Sequence, residues 1–176
     1  SFASIKTKLN RLVCNHSIRL IYPIAQENWI VKLPRDDDGE PTRRKSPKRG
    51  RVEALFGQMV SIPHLAINDN FALDVLMIQQ EELRRYDSKR NWRRRGWGTE
   101  ERRLLSVVDH RLFQEPDDWK TLLPKQLEDP FTTISLAEAA GISRRLAQQM
   151  AYCLRHMGVI ALVGKKARAH LYEAIV

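Results

Sequence analysis

Residues 135–158, with the sequence SLAEAAGISRRLAQQMAYCLRHMG, have the clearest structural pattern of the chain. Ser135 and Glu138 have the spacing of a capping box, in which each side chain satisfies a backbone donor of the other, so they predict the start of a short helix. Gly141 predicts the end of that helix and Ser143 the N-cap of a second one. The stretch therefore encodes two helices joined by a three-residue turn.

The second helix is predicted over residues 144–157, with a left-handed stop at Gly158. Residues 159–163 and 169–175 then read as the two strands of a β-hairpin. A helix, a turn with glycine, a longer helix and a hairpin in this order resemble the winged helix-turn-helix superfamily. The resemblance covers about 46 residues, and it implies a DNA-binding module whose second helix enters a groove of the duplex and whose hairpin is the wing.

A helical wheel separates the second helix into an apolar arc and a polar arc. The apolar arc predicts a core face formed by Leu146, Met150, Cys153, Leu154 and Met157. The opposite arc contains Arg144, Arg145, Gln148, Gln149, Tyr152, Arg155 and His156. A solvated helix usually mixes acids with bases, so the absence of carboxylates from this arc favours an anionic partner. Arginine and glutamine also suit base edges in the major groove.

The predicted wing would add phosphate contacts from Lys165, Lys166 and Arg168, which position a protein without reading sequence. Two basic blocks elsewhere predict a wider phosphate track. The first contains Arg43, Arg44, Lys45, Lys48 and Arg49, and the second contains Arg93, Arg94 and Arg95, with Trp92 and Trp97 placed to stack on unpaired bases. The alternative for both blocks is a solvated run of charge, with the tryptophans packed at a domain junction.

Composition points in the same direction. The chain has 176 residues and a formal charge of +9, from 30 Lys and Arg against 21 Asp and Glu, which calls for an acidic partner such as nucleic acid. Cys14 and Cys153 exclude a disulfide framework, and the histidines do not form a zinc motif, so a reducing compartment is expected. We predict no membrane segment and no cofactor. The expected location is the cytoplasm, in association with the nucleoid, or the nucleus if the organism is a eukaryote.

The sequence of the N-terminal half is also compatible with an enzyme. The pattern of this half predicts a small α/β unit. Its elements are an amphipathic helix after Ser4, two strands at residues 18–22 and 29–33 with a turn at residues 26–28, a helix from Val52 and a buried strand at residues 71–78. It weakly resembles PD-(D/E)XK nucleases, which would imply a Mg²⁺ site. The residues concerned are Glu53, Asp74 and Glu81, with Glu82 as the alternative to Glu81. The alternative is that Asp74 pairs with an arginine of a basic loop.

We therefore expect an α+β protein with a small α/β domain at residues 1–87, an Arg- and Trp-rich linker at 88–98 and a winged-helix domain at 99–176. In that domain a helix after Thr99, with Leu104, Leu105, Val108 and Leu112, would be the first of three. The predicted function is binding to double-stranded DNA. A Mg²⁺-dependent nuclease and an adaptor for an acidic protein are the alternatives, and a homodimer or a larger complex is left open.

Overall fold

The computed structural model describes residues 1–35, 39–89 and 95–175, and it mixes helices with strands, as predicted for an α+β protein. In these ranges the α-helices are α1 (Phe2–Leu12), α2 (Phe56–Met59), α3 (Pro116–Lys120), α4 (Thr133–Ala140) and α5 (Arg144–His156), and Val52–Leu55 and Pro63–Ile67 form 3₁₀ helices. The strands are β1 (Ile18–Lys32), β2 (Thr42–Lys45), β3 (Phe71–Tyr86), β4 (Trp97–Phe113), β5 (Ile160–Lys166) and β6 (Ala169–Ala174). None of the described helices is long and apolar enough to cross a membrane.

One sheet contains β2, β1, β3 and β4 side by side in this order. The prediction of a hairpin with a turn at residues 26–28 was wrong, because β1 runs unbroken through these positions. Their polar side chains have partners on the sheet: Glu27 binds Lys45 of β2, and Asn28 binds Glu82 of β3. Polarity at this point therefore reflects cross-strand pairs and not a turn.

The helix predicted after Thr99 was also wrong, since residues 97–113 form β4. The apolar positions there fit a helical spacing, but pairing with β3 decides the outcome. Side chains reach across the two strands, with Ser106 donating to Gln79 at 3.0 Å and Arg85 donating to Glu100 at 2.9 Å. Long-range pairing of this kind overrides a local helical pattern.

The chain divides into two compact units, each built from separated segments. The first contains Ser1–Tyr22, Glu53–Val75 and Arg111–Val176, and the second contains Pro23–Val52 and Leu76–His110. This division differs from the predicted one at residues 88–98. The reason within the first unit is packing: Trp119 is fully buried, stacks on Phe113 with ring centroids 4.6 Å apart, and lies 6.2 Å from the ring of Phe56.

The second unit has its own small core, in which Ile24, Ile30, Met77, Ile78 and Leu83 are buried. Gly50 lies close to the backbone of β1 here, since a Cβ at this position would be 2.4 Å from the carbonyl oxygen of Ala25. Its own amide donates to that same oxygen at 2.9 Å. A glycine is needed at residue 50 because any side chain would push the segment after β2 away from β1.

Candidate functional site

The turn between α4 and α5 sets the direction of α5. Gly141 ends α4 in the left-handed conformation, with φ of 62°, which disfavours residues that carry a Cβ. Ser143 then caps α5 by accepting a hydrogen bond from the amide of Leu146 at 3.2 Å. Both residues have their predicted roles. The capping box of α4, however, joins Thr132 and Ser135 instead of Ser135 and Glu138, so α4 begins at Thr133.

One face of α5 is buried and the other is exposed. Cys153 is confirmed as a core residue, with no exposed surface, and burial raises the pKa of its thiol to about 12. Met150, Leu154 and Met157 are buried beside it as predicted, joined by Ala147 and Ala151, whereas Leu146 of the predicted core face is only half-buried. The exposed face contains Arg144, Arg145, Gln148, Tyr152, Arg155 and His156. The helix contains no carboxylate, so no acid of α5 itself balances the positive charge of this face.

The β5–β6 hairpin follows α5 and pairs in antiparallel register from Ile160 opposite Ala174 to Lys166 opposite Ala169. A bulge between Leu162 and Gly164 shifts the alternation of its side chains. The tip turns at Ala167, with φ of 54°, and at Arg168. The predicted cations Lys165, Lys166 and Arg168 are all exposed.

A concavity of about 440 Å³ is formed by residues of α5 and of the hairpin. Gln148, Tyr152, Arg155 and His156 line it from α5, and Arg168, His170 and Tyr172 line it from the hairpin and β6. Arg155 and Arg168, which were predicted from separate motifs, thus line the same concavity, and none of its lining residues is a carboxylate. Its chemistry suits an anion with several oxygens, such as a phosphodiester.

The histidines of this concavity were missed as site residues in the sequence. His156 packs against the ring of Tyr152, with centroids 4.4 Å apart, and His170 lies 3.5 Å from the hydroxyl of Tyr172. The sequence offered only one sign that His156 and His170 belong to a site: both lie at polar positions of α5 and β6. Scattered histidines of this kind do not stand out until the fold brings them together.

Several of the predicted DNA-binding residues of α5 and the hairpin do not line this concavity, namely Arg144, Arg145, Gln149, Lys165 and Lys166. Gln149 is only partly exposed and faces α2, where a Cβ on Gly57 would be 3.8 Å from its Oε1 atom. Lys166 lines a different concavity, of about 460 Å³, together with Glu128 and Glu138. Lys166 thus shares a concavity with two carboxylates, whereas no carboxylate lines the concavity that contains Arg168.

The first basic block differs from the loop that was predicted. Residues 42–45 form β2, and its cations lie over the sheet, where Arg43 pairs with Glu81 at 2.8 Å and Lys45 with Glu27 at 2.6 Å. Arg49 also reaches Glu27, at 3.4 Å. The hydrogen bond from Lys45 lowers the pKa of Glu27. In the described ranges Arg44 and Lys48 make no ion pair, so this block keeps only part of its charge.

The second basic block is only partly described. Arg93, Arg94 and Trp92 lie outside the described residues, and Arg95 is exposed in a turn with φ of 53°. Trp97 packs edge-on against Tyr86, with centroids 5.7 Å apart, and the Nζ atom of Lys32 lies 4.6 Å from its ring. Trp97 therefore has protein partners on both β3 and β1, which agrees with the packing alternative.

The three carboxylates considered for a Mg²⁺ site each have a cationic or other partner. Asp74 is buried and accepts two hydrogen bonds from Arg19 of β1, at 2.5 and 3.1 Å, so its partner is not a basic-loop arginine. Glu81 is paired with Arg43, and Glu53 also has a partner. Across the described ranges no group of three His, Cys, Asp or Glu side chains is placed to hold a metal ion.

Comparison with known proteins identifies the family of the chain. A family model described as a domain of unknown function (DUF8091) matches residues 1–114, more than half of the sequence, and the chain belongs to that family. A relative from Treponema pallidum (strain Nichols), described as an uncharacterized protein, is 25% identical over 170 residues. These cover 96% of this chain and 66% of the relative, so the chain spans slightly less than two thirds of that protein's length. No solved structure matches the chain significantly.

Proposed function

We propose that this member of the DUF8091 family binds double-stranded DNA through a winged helix-turn-helix module formed by α4, α5 and the β5–β6 hairpin. The observation that carries the proposal is the concavity where Arg155 of α5 and Arg168 of the hairpin meet without a carboxylate among the lining residues. An uncompensated pair of guanidinium groups at one hollow favours a polyanion, because each phosphate contact also releases a condensed counterion.

The order of elements supports the winged-helix assignment. Phe131, between α3 and α4, forms an antiparallel bridge with Tyr172 of β6, and each amide donates to the other's carbonyl at 2.8 Å. This bridge extends the hairpin by a third short segment. Three helices and a small antiparallel sheet, with the sharp turn at Gly141, are the parts expected of such a module.

The proposed mode of binding follows from the exposed face of α5. In helix-turn-helix proteins the N-terminal residues of the second helix contact base edges in the major groove. Here these residues are Arg144, Arg145 and Gln148, which can pair with guanine or adenine edges through two hydrogen bonds each. Arg155, Arg168 and Lys165 would then hold flanking phosphates. The proposed activity is binding alone, since Asp74, on which a cleavage reaction would depend, is held by Arg19.

Fluorescence anisotropy with a labelled duplex of mixed sequence tests the proposal. Salt should weaken binding steeply, and Arg155→Ala and Arg168→Ala should each weaken it about tenfold and lower the salt slope by about one. Arg43→Ala is the matched control, because its cation is already paired with Glu81, so its affinity should stay close to that of the unchanged protein. Equal losses in all three variants, or no salt-dependent binding, would contradict the proposal.

A further inference from the structure

The two edges of the four-stranded sheet are built differently. The β2 edge is four residues long and contains Arg43, Arg44 and Lys45, and a short, charged edge resists pairing with another strand. The β4 edge is 17 residues long. Its middle exposes apolar side chains on both faces, with Leu104 at 62%, Leu105 at 45%, Val107 at 49% and Val108 at 44%. A long edge with this composition is open to strand addition.

We infer that β4 pairs antiparallel with β4 of a second copy of this chain, with Ser106 of one copy opposite Ser106 of the other. In this register Leu104 lies opposite Val108 of the partner subunit, and Leu105 lies opposite Val107 of the partner subunit. Two-fold symmetry makes each pair occur twice. The four exposed apolar side chains of each strand thus meet apolar partners across the junction.

The charges flanking this apolar segment favour a second copy over an unrelated partner. In the same register Arg103 lies opposite Asp109 of the partner subunit, and Glu101 lies opposite Arg111 of the partner subunit. The odd-numbered residues from 101 to 111 read acid, base, apolar, apolar, acid and base, so in this antiparallel register each acid lies opposite a base and each apolar residue opposite an apolar one. Within one chain Arg103 already binds Glu101 at 2.9 Å, and both groups are about half exposed. Asp109 and Arg111 also have partners within the chain, so the pairs across the junction are added to these contacts or exchanged for them.

A charge-swap series tests this register. Arg103→Glu should place two acids opposite each other, and Asp109→Arg should place two bases opposite each other, so each change should raise the dimer dissociation constant tenfold or more. The double variant Arg103→Glu/Asp109→Arg restores opposite charges and should return the constant to within about threefold of the unchanged protein. Sedimentation equilibrium measures the constant, with Val163→Lys, an exposed apolar position of the hairpin, as a control that should not change it.

A cross-linking experiment covers the case in which a charge variant misfolds. In a Cys14→Ser background, which removes the exposed native thiol, Ser106→Cys should form a disulfide-linked dimer on mild oxidation, because residue 106 faces its own copy. His110→Cys, on the same face of β4 but opposite residue 102, should not. A monomer at all concentrations, a dimer indifferent to both charge changes, or equal cross-linking at the two positions would each overturn the inference. A monomer would mean that another segment or partner covers this edge.

Discussion

The α5–hairpin surface and the basic segment at residues 42–51 have similar charge in the sequence and different charge in the fold. In the basic segment, Arg43, Lys45 and Arg49 face carboxylates of β1 and β3. On the α5–hairpin surface, Arg155 and Arg168 line a hollow that has no carboxylate. A run of cations therefore indicates a polyanion site only where the fold does not place carboxylates beside those cations.

The largest expected effect comes from reversing the charge of the hollow. Arg155→Glu/Arg168→Glu should weaken duplex binding by more than about 100-fold, since two phosphate contacts are lost and two repulsions added. Anisotropy titrations at low and moderate salt measure this. Arg43→Glu/Arg49→Glu changes the net charge by the same amount in the basic segment and should have a much smaller effect. Equal losses would show that total charge, and not its arrangement, governs binding.

The second prediction concerns the carboxylates that hold cations on the sheet. Burial by itself raises the pKa of Glu82, but hydrogen bonds from Thr99, Arg84 and Asn28 outweigh it and lower that pKa to about 2, from an ordinary 4.5. The resulting stabilisation is present above pH 4.5 and is lost as the pH falls toward 2. Glu82→Gln should therefore cost about 2–3 kcal/mol of unfolding free energy at neutral pH and nearly nothing near pH 2. Urea unfolding at several pH values measures this, and a pH-independent loss would contradict it.

The third prediction separates two neighbouring cations of the hairpin. Lys166 shares its concavity with Glu128 and Glu138, whereas Arg168 shares its own with Arg155. Arg168→Ala should weaken duplex binding about tenfold, but Lys166→Ala by less than about threefold. The same titration measures both variants. A larger loss for Lys166→Ala would show that the hairpin binds DNA by its other face.

The smallest expected effect is a gain. Glu27→Gln removes the carboxylate that opposes Lys45 and Arg49, so both cations become available to phosphates. Duplex affinity should rise about twofold and the salt slope should increase by less than one. Arg155→Ala in the same background should still cause its full loss. If Glu27→Gln leaves affinity unchanged or lowers it, releasing Lys45 and Arg49 adds no phosphate contact, which contradicts the prediction.

Local signals explain what could be predicted of this fold. The stop at Gly141, the cap at Ser143 and the apolar arc of α5 depend on residues close in sequence, and the structure has them as predicted. The strand β4 was missed because its conformation depends on pairing with β3, and the local sequence of residues 97–113 does not show this pairing. A prediction from periodicity alone cannot include such pairing.

The charge state of the site also depends on distant residues. Arg43 is neutralised by Glu81, a residue far along the chain, so a count over residues 42–51 overestimates the charge that is available. Lys166 and Arg168 line different concavities, and the bulge between Leu162 and Gly164 shifts the alternation of side chains along β5. A bulge has no clear sequence signature here, so the facing of individual lysines could not be predicted.

The bridge between Phe131 and Tyr172 has a consequence for the order of events during protein synthesis. Phe131 leaves the ribosome before α4 and α5, but its strand partner is made about forty residues later. At roughly 5–20 residues per second, this leaves an interval of about 2–8 seconds. During this interval the residues of α4 and α5 have been made, but Phe131, which precedes them, has no strand partner. A released chain truncated before Tyr172 should therefore be cut by a protease near Phe131, and a chain that includes β6 should be protected at that site.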